Sequence, residues 1–229
     1  MQLPLPDLFC IFTLMIAVLH RSFLLFLLLI STGLRAQTNL VFSVDTTGLP
    51  ANCKIETLRF YLGHIALKKN GAVTLIDSTY HLVDFQKPTT LTIPLSDQLI
   101  HTDTIEFGLG VDSFTSVSGA MGGDLDPTNG MYWAWQSGYV NLKLEGTSLL
   151  SKTPGNTFQY HLGGYTYPEN CYRSIKLPVK NASKIHIGIY PEKFLSKIDI
   201  SKINHCMSPG KEAMQMMDIA TGMFSIMDL

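Results

Sequence analysis

Charge of either sign is scarce in this chain: 15% of its 229 residues are charged, and 17 Lys and Arg stand against 18 Asp and Glu for a formal net charge of −1. Without a basic excess there is no electrostatic footprint for nucleic acid, and 46% hydrophobic residues exclude a disordered chain. Cysteine is sparse as well, four residues with no CxxC spacing, which removes the usual zinc and dithiol motifs. A nucleophile elbow, a Gly-rich phosphate loop and HExxH are all missing, and the nearest serine motif, WQSGY at 135–139, lacks the glycine before the nucleophile. These absences exclude an ordinary hydrolase or kinase.

What is present begins with two apolar runs within residues 8–34, IFTLMIAVL and FLLFLLLI, interrupted by His20 and Arg21. The second run reads as the apolar region of a secretory signal with cleavage after Ala36 in GLRA. A spanning helix needs about 20 apolar residues and would carry His20 and Arg21 inside the span. Met15 offers a second start, with a short segment ending in His20 and Arg21. The expected organisation is a signal peptide over 1–36 and one domain over 37–229, periplasmic or secreted, with no transmembrane anchor after cleavage. The mature part has 229 − 36 = 193 residues, enough to bury a full core without staples. Its three cysteines, Cys53, Cys171 and Cys206, allow one disulfide and leave a thiol over; Cys53 with Cys171 and Cys171 with Cys206 are equally open.

Short runs with period-two alternation then recur between Gly, Pro, Asn and Asp clusters, the pattern of strands. They are NLVFSVD (39–45), LRFYLGHIAL (58–67), YHLVDF (80–85), TLTIPL (90–95), IEFGLGVD (105–112), MYWAWQSGYVNLKLEG (131–146), FQYHLGGY (158–165), RSIKLPV (173–179) and KIHIGIY (184–190). No long amphipathic helix separates them, so the expected fold is all-β, an antiparallel sandwich with a long functional loop and a short C-terminal helix.

The long loop runs from Asp112 to Gly130, rich in Gly and Ser and without strand or helix pattern. Asp112, Asp124, Asp126 and Asn129 bracket it, and the Asp-x-Asp spacing offers oxygen ligands for Ca²⁺ or, as the plainer reading, caps that order the loop's own turns. The C-terminal tail carries Met214, Met216, Met217, Met223 and Met227. Such a cluster can bind Cu(I), but Met214, Met217 and Ala220 lie three apart, the spacing of one helix face packed on the sandwich. Asn181, Ala182 and Ser183 form an N-glycosylation triplet, to which no role is assigned.

The string GDLDPTNGMYWAWQSGYVNLKLEG, 123–146, resembles the signature of the MbnP-type copper-binding proteins, exported all-β proteins of bacteria. LRFYLGHIAL, YHLVD, FGLGVDS and FQYHLGGY stand around it in the family's order, and CMSPG at 206–210 is similar to a Cys-Met-Ser element of some members. The resemblance implies copper held by histidines and a tryptophan that a partner dihaem enzyme oxidises to kynurenine. It also implies copper-transport machinery as a further partner.

The chemistry is coherent, because indole offers only an N–H donor, whereas ring opening yields an aromatic amine and a ketone that can join imidazoles on copper. Trp133 and Trp135 are two apart, so in one strand both face the same side and either can be the modified residue. The resemblance puts His81 and His161 at the recurrent histidine positions, so the expected metal set is His81, His161, Trp133 and Trp135. His64 falls where many members have Asn. His101, His186 and His205 read as structural or solvent-facing. The function expected is copper acquisition, storage or delivery without turnover of a substrate. The rival readings are a metal-free binding module on the same sandwich and a copper redox enzyme, for which the sequence shows no substrate pocket.

Overall fold

The computed structural model describes residues 38–50, 52–95, 102–136, 138–180 and 184–227. The expected signal segment, His101 and the Asn181–Ser183 triplet lie outside them. The strands, in chain order, are β1 (Thr38–Val44), β2 (Cys53–Lys69), β3 (Ala72–Asp77), β4 (His81–Asp84), β5 (Thr92–Leu95), β6 (Thr104–Leu109), β7 (Tyr132–Trp133), β8 (Gly138–Ser148), β9 (Thr157–Gly163), β10 (Arg173–Pro178), β11 (Lys184–Ile189), β12 (His205–Cys206) and β13 (Phe224–Ile226). They form a four-stranded sheet, β13-β11-β1-β5, and a larger one that runs β10-β6-β2-β8-β9-β12, with β3 and β4 on β2 and β7 on β8.

The fold is mostly β and sandwich-like, as expected, with one refinement. Both sheets are mixed: β1 runs parallel to β11, and β12 runs parallel to β9. Alternation within a segment fixes which side chains face inward, but it carries no information on the direction of a partner distant in sequence. Alternation also underestimated β2, which extends from Cys53 to Lys69, and missed β3, whose Val73 and Ile76 are exposed.

Between the sheets lies the main core. Leu40 and Phe42 of β1 and Ile185, Ile187 and Ile189 of β11 face Phe60 and Leu62 of β2, Phe107 of β6 and Leu142 and Leu144 of β8. Phe60 meets Phe42 and Phe224 edge to face, with centroids 5.9 and 5.3 Å apart. The C-terminal helix, Lys211–Ala220, closes the core with Ala213, Met216, Met217 and Ala220 buried. The methionines thus fill space, as the packing reading expects, although the buried face is centred on Met216 and Met217 rather than on Met214.

A second, smaller cluster lies on the outer face of the larger sheet: Tyr61, Leu82, Val111, Leu125, Met131, Trp133, Tyr139 and Val140. Successive residues of a strand point to opposite faces, so Tyr61, between Phe60 and Leu62, must belong to this outer cluster. The segment 112–130 covers it and is ordered: a helical turn at Ser113–Val117 and two tight turns, Gly123–Leu125 and Pro127–Asn129. Replacing Phe60 by Ala should cost about 3–5 kcal/mol in a urea titration, because the cavity would open between two aromatic neighbours that cannot both collapse into it.

Candidate functional site

The outer face is built around anchors that hold the 112–130 segment against the sheet. The buried Asn141 of β8 accepts the Val111 N–H at 3.0 Å and fixes the exit of β6. Tyr139 accepts the Met121 N–H through its hydroxyl at 3.0 Å and donates to the Gly119 carbonyl at 3.2 Å. Asp124 accepts the Leu82 N–H at 2.8 Å. At the far end, Lys143 donates to the Gly130 carbonyl at 2.7 Å, while Arg59 donates to the Asn129 carbonyl at 3.3 Å and pairs with the buried Asp84 at 3.0 Å.

The four loop carboxylate and amide residues are engaged in this ordering. Asp112 Oδ1 accepts the Thr115 N–H, Asp126 accepts the Thr128 N–H, and Asn129 donates to the carbonyls of Gly123 and Asp124. The aspartates accept from backbone N–H groups of the loop and of its neighbour β4, the capping role such residues have in turns, and Asn129 donates through its amide. Asp112 keeps its second oxygen for side chains. Among the described residues, no three side chains of His, Cys, Asp or Glu converge on a common point.

The two tryptophans do not share a strand face. β7 ends at Trp133, which pairs with Gly138, and residues 134–136 turn the chain back into β8. Trp133 is 7% exposed and Trp135 65% exposed, with ring centroids 5.8 Å apart. The strand reading of MYWAWQSGY therefore gives way to a hairpin whose tip carries Trp135. Trp133 lies over Gly163: a methyl group built there would come within 2.8 Å of its Cζ3. His161, two residues earlier in β9, projects from the same face, one side-chain spacing away.

His161 is nearly buried, and its Nε2 lies 2.6 Å from Glu145 Oε1. This bond to His161 brings the pKa of Glu145 down to about 2 against the cost of burial. A carboxylate on Nε2 holds the ring proton there and leaves the Nδ1 lone pair available, the arrangement that supports metal-binding imidazoles. Beside Trp133 opens a pocket of about 290 Å³ lined by Gln136, Tyr165, Thr166, Glu169 and Pro209 among others. CMSPG contributes its proline to this wall.

His81 belongs to a different neighbourhood. Its Nε2 lies 2.9 Å from Asp77 Oδ2 and 3.0 Å from Thr79 Oγ1. It pairs with Leu62 of the main core face, whereas His161 pairs with Lys143, which pairs with Arg59 on the outer face. Three strand spacings from β4 to β9 amount to about 14 Å, so the structure does not bring His81 and His161 together. The histidine that does meet the 112–130 segment is His64, whose Nε2 is 2.6 Å from Asp112 Oδ2. Its only sequence signal was its departure from the family's usual asparagine.

Of the remaining residues, His205 is exposed beside Asn204, and His186 is half-buried, its pKa lowered by burial and by Lys184. All three cysteines are free thiols; burial pushes Cys171 up to about 12 and Cys206 to about 11, so both are inert at neutral pH. Neither candidate disulfide is formed.

A family model described as MbnP matches residues 32–208. The chain belongs to the MbnP family. The solved structure of MbnP from Methylosinus trichosporium aligns with a TM-score of 0.55 at 14% identity, covering 76% of this chain and 82% of that one. At that identity the likeness speaks for the fold. Among curated proteins nothing matches. This MbnP-family domain therefore shares an architecture with its solved relative, while its site must be argued from its own residues.

Two outcomes test the site as described. Gly163→Ala should displace Trp133 and collide with the Tyr139 carbonyl, costing about 1–3 kcal/mol and raising tryptophan exposure to quenchers. For Glu145 the folded pKa of about 2 lies below the ordinary 4.5. Its stabilisation is therefore full above about pH 4.5 and lost as pH falls through about 2. Urea midpoints of wild type and Glu145→Gln should differ at pH 6 and converge towards pH 2; parallel pH profiles would remove the ion pair from the account.

Proposed function

We propose that this MbnP-family protein is an exported copper-binding protein that acquires, stores or delivers the ion and performs no turnover. In this reading copper is held by His161 together with the kynurenine form of Trp133, and water or an incoming ligand completes the coordination. The single observation that carries it is the seat of Trp133 over Gly163, one side-chain spacing from the carboxylate-supported His161. Unmodified indole has no lone pair to offer, so the oxidation by a partner dihaem enzyme is what makes this pair a copper site. Trp135, exposed at the hairpin tip, suits contact with that partner better than ligation. Export follows from the signal-like segment, and among the described residues no helix is long and apolar enough to cross a membrane.

A second reading, a metal-free binding module, draws on the lack of a three-residue cluster of metal-binding side chains among the described residues. The two separate on copper content. Protein co-produced with a cognate dihaem enzyme should show a mass shift in the peptide spanning Met131 to Lys143 and retain stoichiometric copper. His161→Ala and Trp133→Phe should each lose that copper while the far-UV circular dichroism stays that of the folded wild type, at a lowered melting temperature because Glu145 loses its partner in the first and the outer cluster loses volume in the second, whereas Trp135→Phe should keep the site. His81→Ala tests the pairing of His81 with His161: with three strand spacings and a three-residue offset between them, copper should remain. Copper lost with His81 alone would reinstate it as a ligand. Equal copper in all variants would leave the metal-free module as the better account.

A further inference from the structure

At the other end of the 112–130 segment, three donor atoms form a small triangle. His64 Nε2 lies 2.6 Å from Asp112 Oδ2 and 3.1 Å from the Tyr80 hydroxyl, and that hydroxyl lies 2.7 Å from the same Asp112 oxygen. Ligands bound at about 2.0–2.1 Å and at right angles on one ion lie about 2.9 Å apart. The triangle therefore matches three adjacent ligands on one face of a tetragonal or octahedral ion. We propose that His64, Tyr80 and Asp112 form a second metal site, one that takes a divalent first-row ion such as Zn²⁺ or Cu²⁺ independently of the Trp133 and His161 pair.

Four features support it. The donors come from three separate elements, the bulged centre of β2, the residue before β4 and the start of the 112–130 segment, so an ion there would tie them together. The set is open: the His64 side chain is 45% exposed and Asp112 24%, leaving positions for water or a ligand. Asp112 is preorganised as an anion, since its other oxygen already caps the Thr115 N–H. His64 also holds a φ of 51°, where a non-glycine residue is strained, at the register shift between Gly63 and Ala66. That backbone turns an otherwise solvent-facing imidazole onto the carboxylate. An imidazole with two oxygens is a borderline set that suits Zn²⁺ and Cu²⁺ better than Ca²⁺.

The test is titration of the purified domain with Zn²⁺ alone, followed calorimetrically, and with Cu²⁺ followed by electron paramagnetic resonance. Wild type should bind one Zn²⁺, and Cu²⁺ there should show a single nitrogen donor. His64→Ala should weaken binding at least about tenfold, and Tyr80→Phe by a smaller factor. Asp112→Asn should weaken it as much as His64→Ala while its remaining oxygen keeps the helix cap and the metal-free protein keeps the far-UV circular dichroism of the wild type. His161→Ala and Trp133→Phe should bind Zn²⁺ as wild type does, so the result is independent of the copper reading. No Zn²⁺ uptake by wild type, or undiminished uptake by both His64→Ala and Asp112→Asn, would overturn the proposal.

Discussion

Everything on the functional face depends on the centre of β2, Phe60 to Gly63, being buried on both faces and paired on both edges. At Leu62 it is paired at once with His81 of β4 and Leu109 of β6, and at Phe60 with Val83 of β4 and Leu142 of β8. Phe60 and Leu62 fill the core between the sheets, and Tyr61 between them anchors the outer cluster. A one-residue slip would exchange the two sets and destroy both clusters together. The register shift near Gly63 and Ala66 absorbs the change from one set of partners to the next.

The outer cluster alone is too small to hold a nineteen-residue segment, and polar anchors complete the task. Asn141, Asp124 and Tyr139 each satisfy a backbone group that the irregular path would otherwise leave without a partner, and buried Asp84 holds Arg59 beneath the Asn129 carbonyl, although Asn141 Nδ2 itself stays buried without a hydrogen-bond partner among the described residues. The phenol of Tyr139 works twice, packing against Tyr61 and Tyr132 while bonding the loop. The segment is thus a built roof, and residues beneath it can be positioned to a fraction of a side-chain length.

Much of this was legible in the sequence because it is local. Alternation in LRFYLGHIAL and FQYHLGGY fixes which residues face the core, and the roof's carboxylates announce their capping role by type. What stayed hidden is non-local or depends on parity. The parallel partnership of β1 with β11 joins segments more than a hundred residues apart. The hairpin inside MYWAWQSGY breaks the count that put Trp133 and Trp135 on one side, since a turn resets the alternation that a strand would keep. His81 and His161 look equivalent within their motifs, yet three strand spacings and an opposite face separate them.

His64, His81 and His161 share one local solution, an Nε2 set on a carboxylate of Asp112, Asp77 or Glu145. The pairing by itself distinguishes nothing, because it serves a structural imidazole as well as a ligand. What separates the three is the second donor within reach. Beside His81 stands only a threonine hydroxyl, a poor ligand for a transition metal. Beside His161 lies an indole, inert until oxidised, so a site there is gated by a covalent change. Beside His64 stands the Tyr80 phenol, which donates its proton to the same carboxylate, so a site there would displace that proton but needs no change of covalent structure. Donor softness would keep the two metal populations apart, with nitrogen-rich coordination beneath Trp133 and oxygen-rich coordination at the rim. On the two proposals together, one face of one sheet would carry a site that must be made by oxidation and another whose donors already stand together.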